Sequence, residues 1–160
     1  MDAILGRVII EVILMGEQKH VSHLKIFFEI EEDNDRIETE SLWAIPVAEG
    51  YQLDSIPFYI RGVACHDIVA ASPDEDGTLY FTKLIVESGH STVRLWFANK
   101  ADVEKIRDEL QEKGCSSEVD IPRLVAVDVP PSVPYNHIRD YLDKLESNAV
   151  LEYEEGCLGQ

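Results

Sequence analysis

The sequence lacks the residue groupings that metal, redox and nucleotide sites require. Its three cysteines, Cys65, Cys115 and Cys157, are far apart and include no Cys-x-x-Cys pair, so free thiols in a reducing compartment are expected. Its nine glycines form neither a P-loop nor a dinucleotide-binding pattern. Its five histidines include no His-x-x-x-His pair on a predicted helix. We therefore expect neither a metal nor a cofactor.

Long apolar runs are also missing. The longest one, residues 8–15, is interrupted by Glu11 and is shorter than the ~20 residues that a membrane-spanning helix needs. Asp2 gives this segment the wrong charge for the start of a signal peptide. We therefore expect a cytoplasmic protein.

Basic residues are scarce. The chain has 14 Lys and Arg against 31 Asp and Glu, which gives a formal net charge of −17. Nucleic acids and anionic membrane surfaces repel such a charge, so neither is an expected partner. A basic protein would instead be attracted and steered by it. Simple solubility is the alternative explanation of the charge.

What the sequence does contain is enough apolar residues for a core, 45% of 160. Residues 21–30 alternate apolar with polar side chains, which is the period of a half-buried strand. Residues 73–77 (PDEDG) predict the turn of a hairpin. Short strands of this kind predict a small antiparallel β-barrel-like lobe over residues 1–88. Residues 1–20 are either its first strand or a loosely docked extension.

The second half alternates strands with helices. Val93, Leu95 and Phe97 predict a strand, and a helix is predicted from a cap at Asn99 to Gly114. The remaining predicted elements are strands at residues 116–120, 124–129 and 150–153 and a helix from near Pro134. The order β-α-β-β-α-β is that of a ferredoxin-like sandwich over residues 89–160. The fold class is thus α+β, with two lobes or one integrated domain.

Two segments contain residue types that catalytic sites use. Cys65, His66 and Asp67 are consecutive, and neighbours on an extended chain point to opposite faces, so a turn with a buried thiol is favoured over a catalytic relay. Residues 88–92 (SGHST) could line a pocket, but a loop cap is favoured. No catalytic residue is predicted.

Late in the chain, acidic residues cluster beside an aromatic one. Glu152, Glu154 and Glu155 surround Tyr153 and could form a contact surface for Arg or Lys. A solvated edge strand is the alternative. Tryptophans and most other aromatics lie in predicted strands, where core packing is expected.

Four blocks in a fixed order identify a resemblance: residues 40–44 (ESLWA), 56–63 (IPFYIRGV), 88–94 (SGHSTVR) and 153–158 (YEEGCL). Over residues 21–158 the chain resembles the bacterial domain-of-unknown-function 4265 family. No activity is implied by the resemblance. The positions it marks for attention are Pro57, Phe58, Tyr59, Arg61, Gly62, Ser88, Gly89, His90 and Ser91.

Within that set, the candidate binding residues are Tyr59, Arg61, Ser88, His90 and Ser91. Arg61 and His90 are the polar groups best able to bind an anionic ligand. The family pattern leads us to expect a glycine where this chain has His66.

Charge, size and the missing catalytic set together favour a non-enzymatic protein-interaction module with a basic protein partner. Its sharpest form is an immunity-type inhibitor that neutralises a basic toxin such as a nuclease. The alternative is a small enzyme or ligand-binding domain with a pocket between the lobes. That alternative requires Arg61, Cys65, His66 and His90 to converge on one concave site.

Overall fold

The structure, a computed structural model, describes residues 8–14, 17–31 and 37–160. Its contacts divide the chain into two compact units. The first contains residues up to Ser55 together with His66–Val86, and the second contains Ile56–Cys65 together with Glu87–Gln160. The predicted division after residue 88 puts residues 56–65 in the first lobe, whereas the structure groups them with the second unit. Their membership of the second unit depends on packing, which local sequence patterns do not report.

Six described strands form the sheet of the first unit. They are β1 (Val8–Leu14), β2 (Glu17–Glu31), β3 (Ile37–Val47), β4 (Gly50–Leu53), β5 (Ile68–Pro73) and β6 (Leu79–Val86). Strands adjacent in sequence pair antiparallel, and β6 also pairs in parallel with β2, which closes a ring of pairings from β2 to β6. Of the two expectations for residues 1–20, a strand is the one observed at residues 8–14 and 17–20, while residues 1–7, 15 and 16 lie outside the described residues.

The core of the first unit follows the alternation in its strands. Ile26 and Phe28 of β2 are fully buried, and so is Leu53 of β4. Phe28 stacks on Phe81 of β6, with ring centroids 4.8 Å apart. Each buried apolar side chain of this size stabilises the fold by about 1.5–3 kcal/mol. The predicted hairpin turn is confirmed between β5 and β6.

His66 adopts a backbone conformation that favours glycine. Its φ is 68°, a left-handed value that costs an L-residue roughly 1–2 kcal/mol. Its N–H donates to the carbonyl of Leu53 at 2.8 Å, and the N–H of Leu53 donates to the carbonyl of Asp67 at 2.9 Å. These bonds hold the left-handed turn against the end of β4. The glycine implied by the family resemblance at this position thus has a physical reason.

Four described strands and two α-helices build the second unit. They are β7 (Ser91–Phe97), α1 (Val103–Glu112), β8 (Ser116–Val119), β9 (Leu124–Val129), α2 (Tyr135–Ser147) and β10 (Leu151–Cys157), with a single 3-10 turn (Lys100–Asp102) before α1. The strand order is β10-β7-β9-β8, and every neighbouring pair is antiparallel. With the sheet of the first unit, this confirms the predicted α+β class.

The predicted helix boundaries rest on identifiable caps. The Asn99 side-chain oxygen accepts a hydrogen bond from the N–H of Ala101 at 3.0 Å, as an N-terminal cap does. Gly114 follows α1 with a φ of 96°, which a glycine adopts without strain. Neither α1 nor α2, the α-helices of the described residues, combines the length and apolarity that crossing a membrane needs.

One face of the second sheet is covered by the helices. Its buried side chains alternate along the strands and pack with those of α1 and α2: Val93, Leu95, Phe97, Val125, Val127, Val129, Ile106, Leu110, Ile138 and Leu142. The residues between them in sequence therefore face the opposite side of the sheet. That opposite side carries the candidate site.

Candidate functional site

The side of the second sheet opposite the helices carries polar and aromatic side chains. Arg94 and Trp96 of β7 lie between the helix-facing residues of that strand. Glu154 of β10 pairs with Arg94, and Glu152 pairs with Trp96. Because paired residues in an antiparallel sheet share a face, these four side chains lie together. Arg94 and Glu154 form an ion pair, and Trp96 and Glu152 are neighbours at the surface.

Arg94 is almost fully buried, with a side-chain exposure of 5%. Its Nη1 donates to Glu154 Oε1 at 3.0 Å, and its Nη2 donates to the carbonyl oxygen of Ile60. Arg61 Nη2 donates to the second oxygen of the same carboxylate at 2.8 Å. Glu154 thus bridges two guanidinium groups. A buried guanidinium needs such a partner, because removing its counter-charge leaves an uncompensated charge inside the protein.

The segment Ile56–Cys65 is bound to this face at several points. Besides the Ile60 carbonyl, the N–H of Gly62 donates to the carbonyl of Gly156 at 3.1 Å. The hydroxyl of Tyr59 donates to the Asp120 carboxylate at 2.5 Å. The sequence block that carries the family resemblance is therefore a structural part of the second unit.

Glu155 is also engaged within the protein. Its Oε1 accepts hydrogen bonds from Arg139 at 3.0 Å and from the hydroxyl of Tyr135 at 2.8 Å. Burial, followed by this hydrogen bond, raises the pKa of Tyr135 above its ordinary value. The same carboxylate raises the pKa of Arg139. Of the three acids predicted as a contact surface, Glu154 and Glu155 therefore help to hold the fold together. Glu152 is exposed and lines a groove, and the half-exposed Glu154 lines the same groove.

Two grooves meet at Trp96, Glu152 and Tyr153. The first has a volume of about 380 Å³ and is lined by Phe58, Tyr59, Arg94, Trp96, Leu124, Glu152, Tyr153 and Glu154. The second, of about 700 Å³, extends from the same three residues toward Arg123 and Glu146. Trp96 is 42% exposed and Tyr59 is 49% exposed. The guanidinium of Arg123 lies over the Trp96 ring, 5.4 Å from its centroid, within the range of a cation–π contact.

The expectation of core packing is wrong for Trp96. The strand carries Val93, Leu95 and Phe97 on its buried side, so the alternation itself directs Trp96 to the other face. This signal was present in the sequence, and applying the period to the whole strand would have found it. Arg94 lies two residues before Trp96 in the same strand, so the same alternation directs it to the face where it binds Glu154.

Ser88, His90 and Ser91 lie at the other end of β7. Ser88 Oγ donates to the carbonyl of Cys65 at 2.8 Å and accepts from the N–H of His90 at 3.2 Å. Ser91 Oγ accepts from the N–H of Gly159 at 3.0 Å. These bonds match the loop-cap interpretation of the segment. Ser91 and the groove residue Trp96 are five positions apart on β7, which is about 15–17 Å along a strand. Ser88, His90 and Ser91 are therefore separate from the grooves.

His90 contacts a buried carboxylate. Its Nδ1 lies 2.8 Å from Oδ1 and 3.0 Å from Oδ2 of Asp128. Arg61, by contrast, binds Glu154. Asp128 is on β9 and Glu154 on β10, and β7 separates these two strands. The two positions are therefore about 10 Å apart across the sheet, and they are also offset along β7, where Asp128 pairs with Thr92 and Glu154 with Arg94. The two groups marked as anion-binding candidates each face a carboxylate instead, and sequence reasoning had not identified Asp128.

Cys65 is buried, as the turn interpretation of residues 65–67 expects. Cys115 is buried as well, and burial, followed by the negative charge of Asp128, raises its pKa to about 11. Within the described ranges, no three His, Cys, Asp or Glu side chains converge in a way that would hold a metal ion.

Comparison with known proteins places the chain in a family. The sequence profile of the domain of unknown function DUF4265 matches residues 40–153. The chain belongs to the DUF4265 family. Three of the four blocks that indicated the resemblance, those from residues 40 to 94, lie within the matched range.

A solved structure of a hypothetical protein from Neisseria gonorrhoeae is similar to this DUF4265 protein. The TM-score is 0.72 and the identity 23%, with 85% of this chain and 95% of that chain covered. This likeness shows a shared fold. No curated protein matches the chain.

Proposed function

We propose that this DUF4265 protein is a non-enzymatic protein-interaction module that binds a basic protein. The observation that carries the proposal is the exposed pair of aromatic rings, Tyr59 and Trp96, which line one groove together with Glu152. Exposed aromatic side chains beside a groove are typical of the centre of a protein interface. The sharpest form of the proposal is an immunity-type inhibitor that neutralises a basic toxin such as a nuclease.

The charge of the chain supports a basic partner. A net charge of −17 speeds the encounter with a cationic surface, and the effect weakens with salt because the Debye length is about 8 Å at physiological ionic strength. Glu152 supplies an exposed carboxylate at the groove, and the Trp96 face already accommodates a guanidinium. Carboxylate and aromatic ring together are the groups that bind arginine and lysine side chains.

The proposal includes the finer description of the fold. The strand order β10-β7-β9-β8 with its two helices supports a ferredoxin-like sandwich for the second unit. The ring of pairings from β2 to β6 supports a barrel-like first lobe. A cytoplasmic location is part of the same proposal, because three cysteines without a disulfide suit a reducing compartment.

The test is capture from the extract of the source cell at two salt concentrations. The wild-type protein is compared with a double variant, Trp96→Ala with Glu152→Gln, that removes one ring and one charge from the groove. The matched control, Leu158→Ala with Glu112→Gln, removes one exposed apolar side chain and one exposed charge elsewhere on the second unit. All three proteins are checked for equal thermal stability first.

The proposal expects one basic protein to be retained by the wild-type and control proteins, lost from the groove variant, and released by added salt. The immunity form further expects that this protein arrests growth when expressed alone and is neutralised by co-expression. Equal retention by all three proteins, or retention unaffected by salt, contradicts the proposed interaction surface.

A further inference from the structure

We infer that the partner binds as an extended basic strand added to the outer edge of β10. This inference rests on the proposed function and specifies how the partner is recognised. Strand addition uses main-chain hydrogen bonds for affinity and alternating side chains for specificity. The required features are an open strand edge, side-chain sites beside it and a means of excluding other strands.

The edge of β10 is open over its first part. Among the described strands, β10 pairs with β7 alone. The carbonyl of Val150 accepts from the N–H of Ala98 at 3.0 Å, so residues 150, 152 and 154 bond toward β7. The alternation of an antiparallel ladder then turns the backbone groups of Leu151 and Tyr153 outward.

The outward amide of Tyr153 is weakly bonded. Its N–H donates to Glu146 Oε1 at 3.4 Å, which is long compared with the usual 2.9–3.0 Å of an amide hydrogen bond. Glu146 lies on α2 and reaches the edge only through its side chain. A carbonyl from an added strand can replace this side chain, because a backbone ladder makes shorter bonds at regular spacing.

The far end of the same edge is closed. Gly62 donates its N–H to the carbonyl of Gly156, and the register of β10 with β7 shifts between Glu155 and Cys157. A bulge at this point ends regular pairing. The open stretch therefore runs from Leu151 to Glu155 and accepts a short strand.

The side chains along the open stretch select a basic strand. Glu152 lies beside the edge on the face that carries Trp96 and Tyr59, so a lysine or arginine of the added strand reaches a carboxylate and an aromatic ring together. Acidic side chains on an edge discourage pairing with another copy of the same chain, and two copies would each bring a charge of −17. The edge thus admits cationic strands and excludes self-association.

The test uses the wild-type protein and a short synthetic peptide of alternating arginine and valine. Two further peptides carry backbone N-methyl groups, one on every arginine and the other on every valine, with the same net charge. In an added strand, alternate residues direct their N–H groups toward the edge. One methylated peptide therefore loses its bonds to β10, and the other keeps them.

We expect the two methylated peptides to differ in Kd by about tenfold or more. We also expect the unmodified peptide to slow hydrogen exchange at the amides of Leu151 and Tyr153. Equal affinity of both methylated peptides overturns strand addition, although salt-dependent binding of all three would leave the proposed function standing. Protection of the Tyr153 amide that rises with protein concentration alone would overturn the basic occupant in favour of a second copy.

Discussion

Gly156 lies directly against the guanidinium of Arg94. A β-carbon at residue 156 would stand 3.1 Å from both Cζ and Nη1 of that side chain, which is closer than ordinary packing allows. Arg94 cannot retreat freely, because it is buried and bonded to Ile60 and Glu154. The glycine of the fourth sequence block thus leaves room for an arginine of the third.

Gly156→Ala should lower the free energy of unfolding by about 1–3 kcal/mol, since the added methyl overpacks a fixed site. Chemical denaturation measures this change. In an Arg94→Ala background the same substitution should cost much less, because the side chain that it meets is gone. An equal cost in both backgrounds would contradict the contact as the cause.

Glu154→Gln and Glu152→Gln each remove one negative charge from β10. The first should lower the stability of the protein, and the second should weaken binding of the partner. Glu154→Gln leaves buried Arg94 without its counter-charge and should lower the free energy of unfolding by about 1–3 kcal/mol. Glu152→Gln should change stability by no more than about 0.5 kcal/mol and should weaken binding of the basic partner. Denaturation and affinity measurements on the pair separate the structural acid from the contact acid.

Substitutions at His66 test the backbone strain of its left-handed turn. His66→Gly should be more stable than His66→Ala by about 1 kcal/mol, because both remove the imidazole and only glycine adopts a φ of 68° without strain. Thermal or chemical unfolding of the two variants gives the difference. Equal stability, or a more stable alanine variant, would show that the turn carries no strain.

Three tyrosines should titrate at unusually high pH. Burial, followed by a hydrogen bond to Asp143, raises the pKa of Tyr153 to about 12, and burial raises the pKa of Tyr135 and Tyr141 as well. The unfolded chain loses these protons near pH 10, so the folded state binds more protons above that pH. The stability that these three tyrosines contribute is therefore fully present below pH 10 and is lost as the pH rises through about 12.

Ultraviolet absorbance of tyrosinate follows this titration directly. Tyr153→Phe should remove one of the late-titrating groups and reduce the slope of stability against pH in the same range. Titration of all six tyrosines at their ordinary pKa would contradict the packing around these hydroxyls.

The thiols should differ in reactivity. Burial raises the pKa of Cys115 to about 11, and the thiolate is the reactive form, whereas Cys157 is only partly buried. Alkylation of the native protein followed by mass spectrometry should label Cys157 first and Cys115 only on unfolding. Early labelling of Cys115 would show that the end of α1 opens in the native state.

Much of the fold was predictable because its signals are local. Asn99 and Gly114 predicted the limits of the first helix, since capping depends on a residue and its immediate neighbours. The turn at residues 73–77 was predictable for the same reason. The candidate site was predicted only in part: Tyr59 and Glu152 were named, while Trp96 was assigned to the core although the strand period directs it outward.

The sequence by itself determined the acidic character of this protein, its α+β class and its membership of the DUF4265 family, because charge, periodicity and ordered blocks are written along the chain. Only the tertiary structure decided which of these acids bind arginines of the same protein. Glu152, Glu154 and Glu155 are equivalent in sequence, yet Arg94 and Arg139 approach Glu154 and Glu155 from distant positions, while Glu152 lines the groove beside Glu154. Long-range packing makes that choice, and no local pattern reports it.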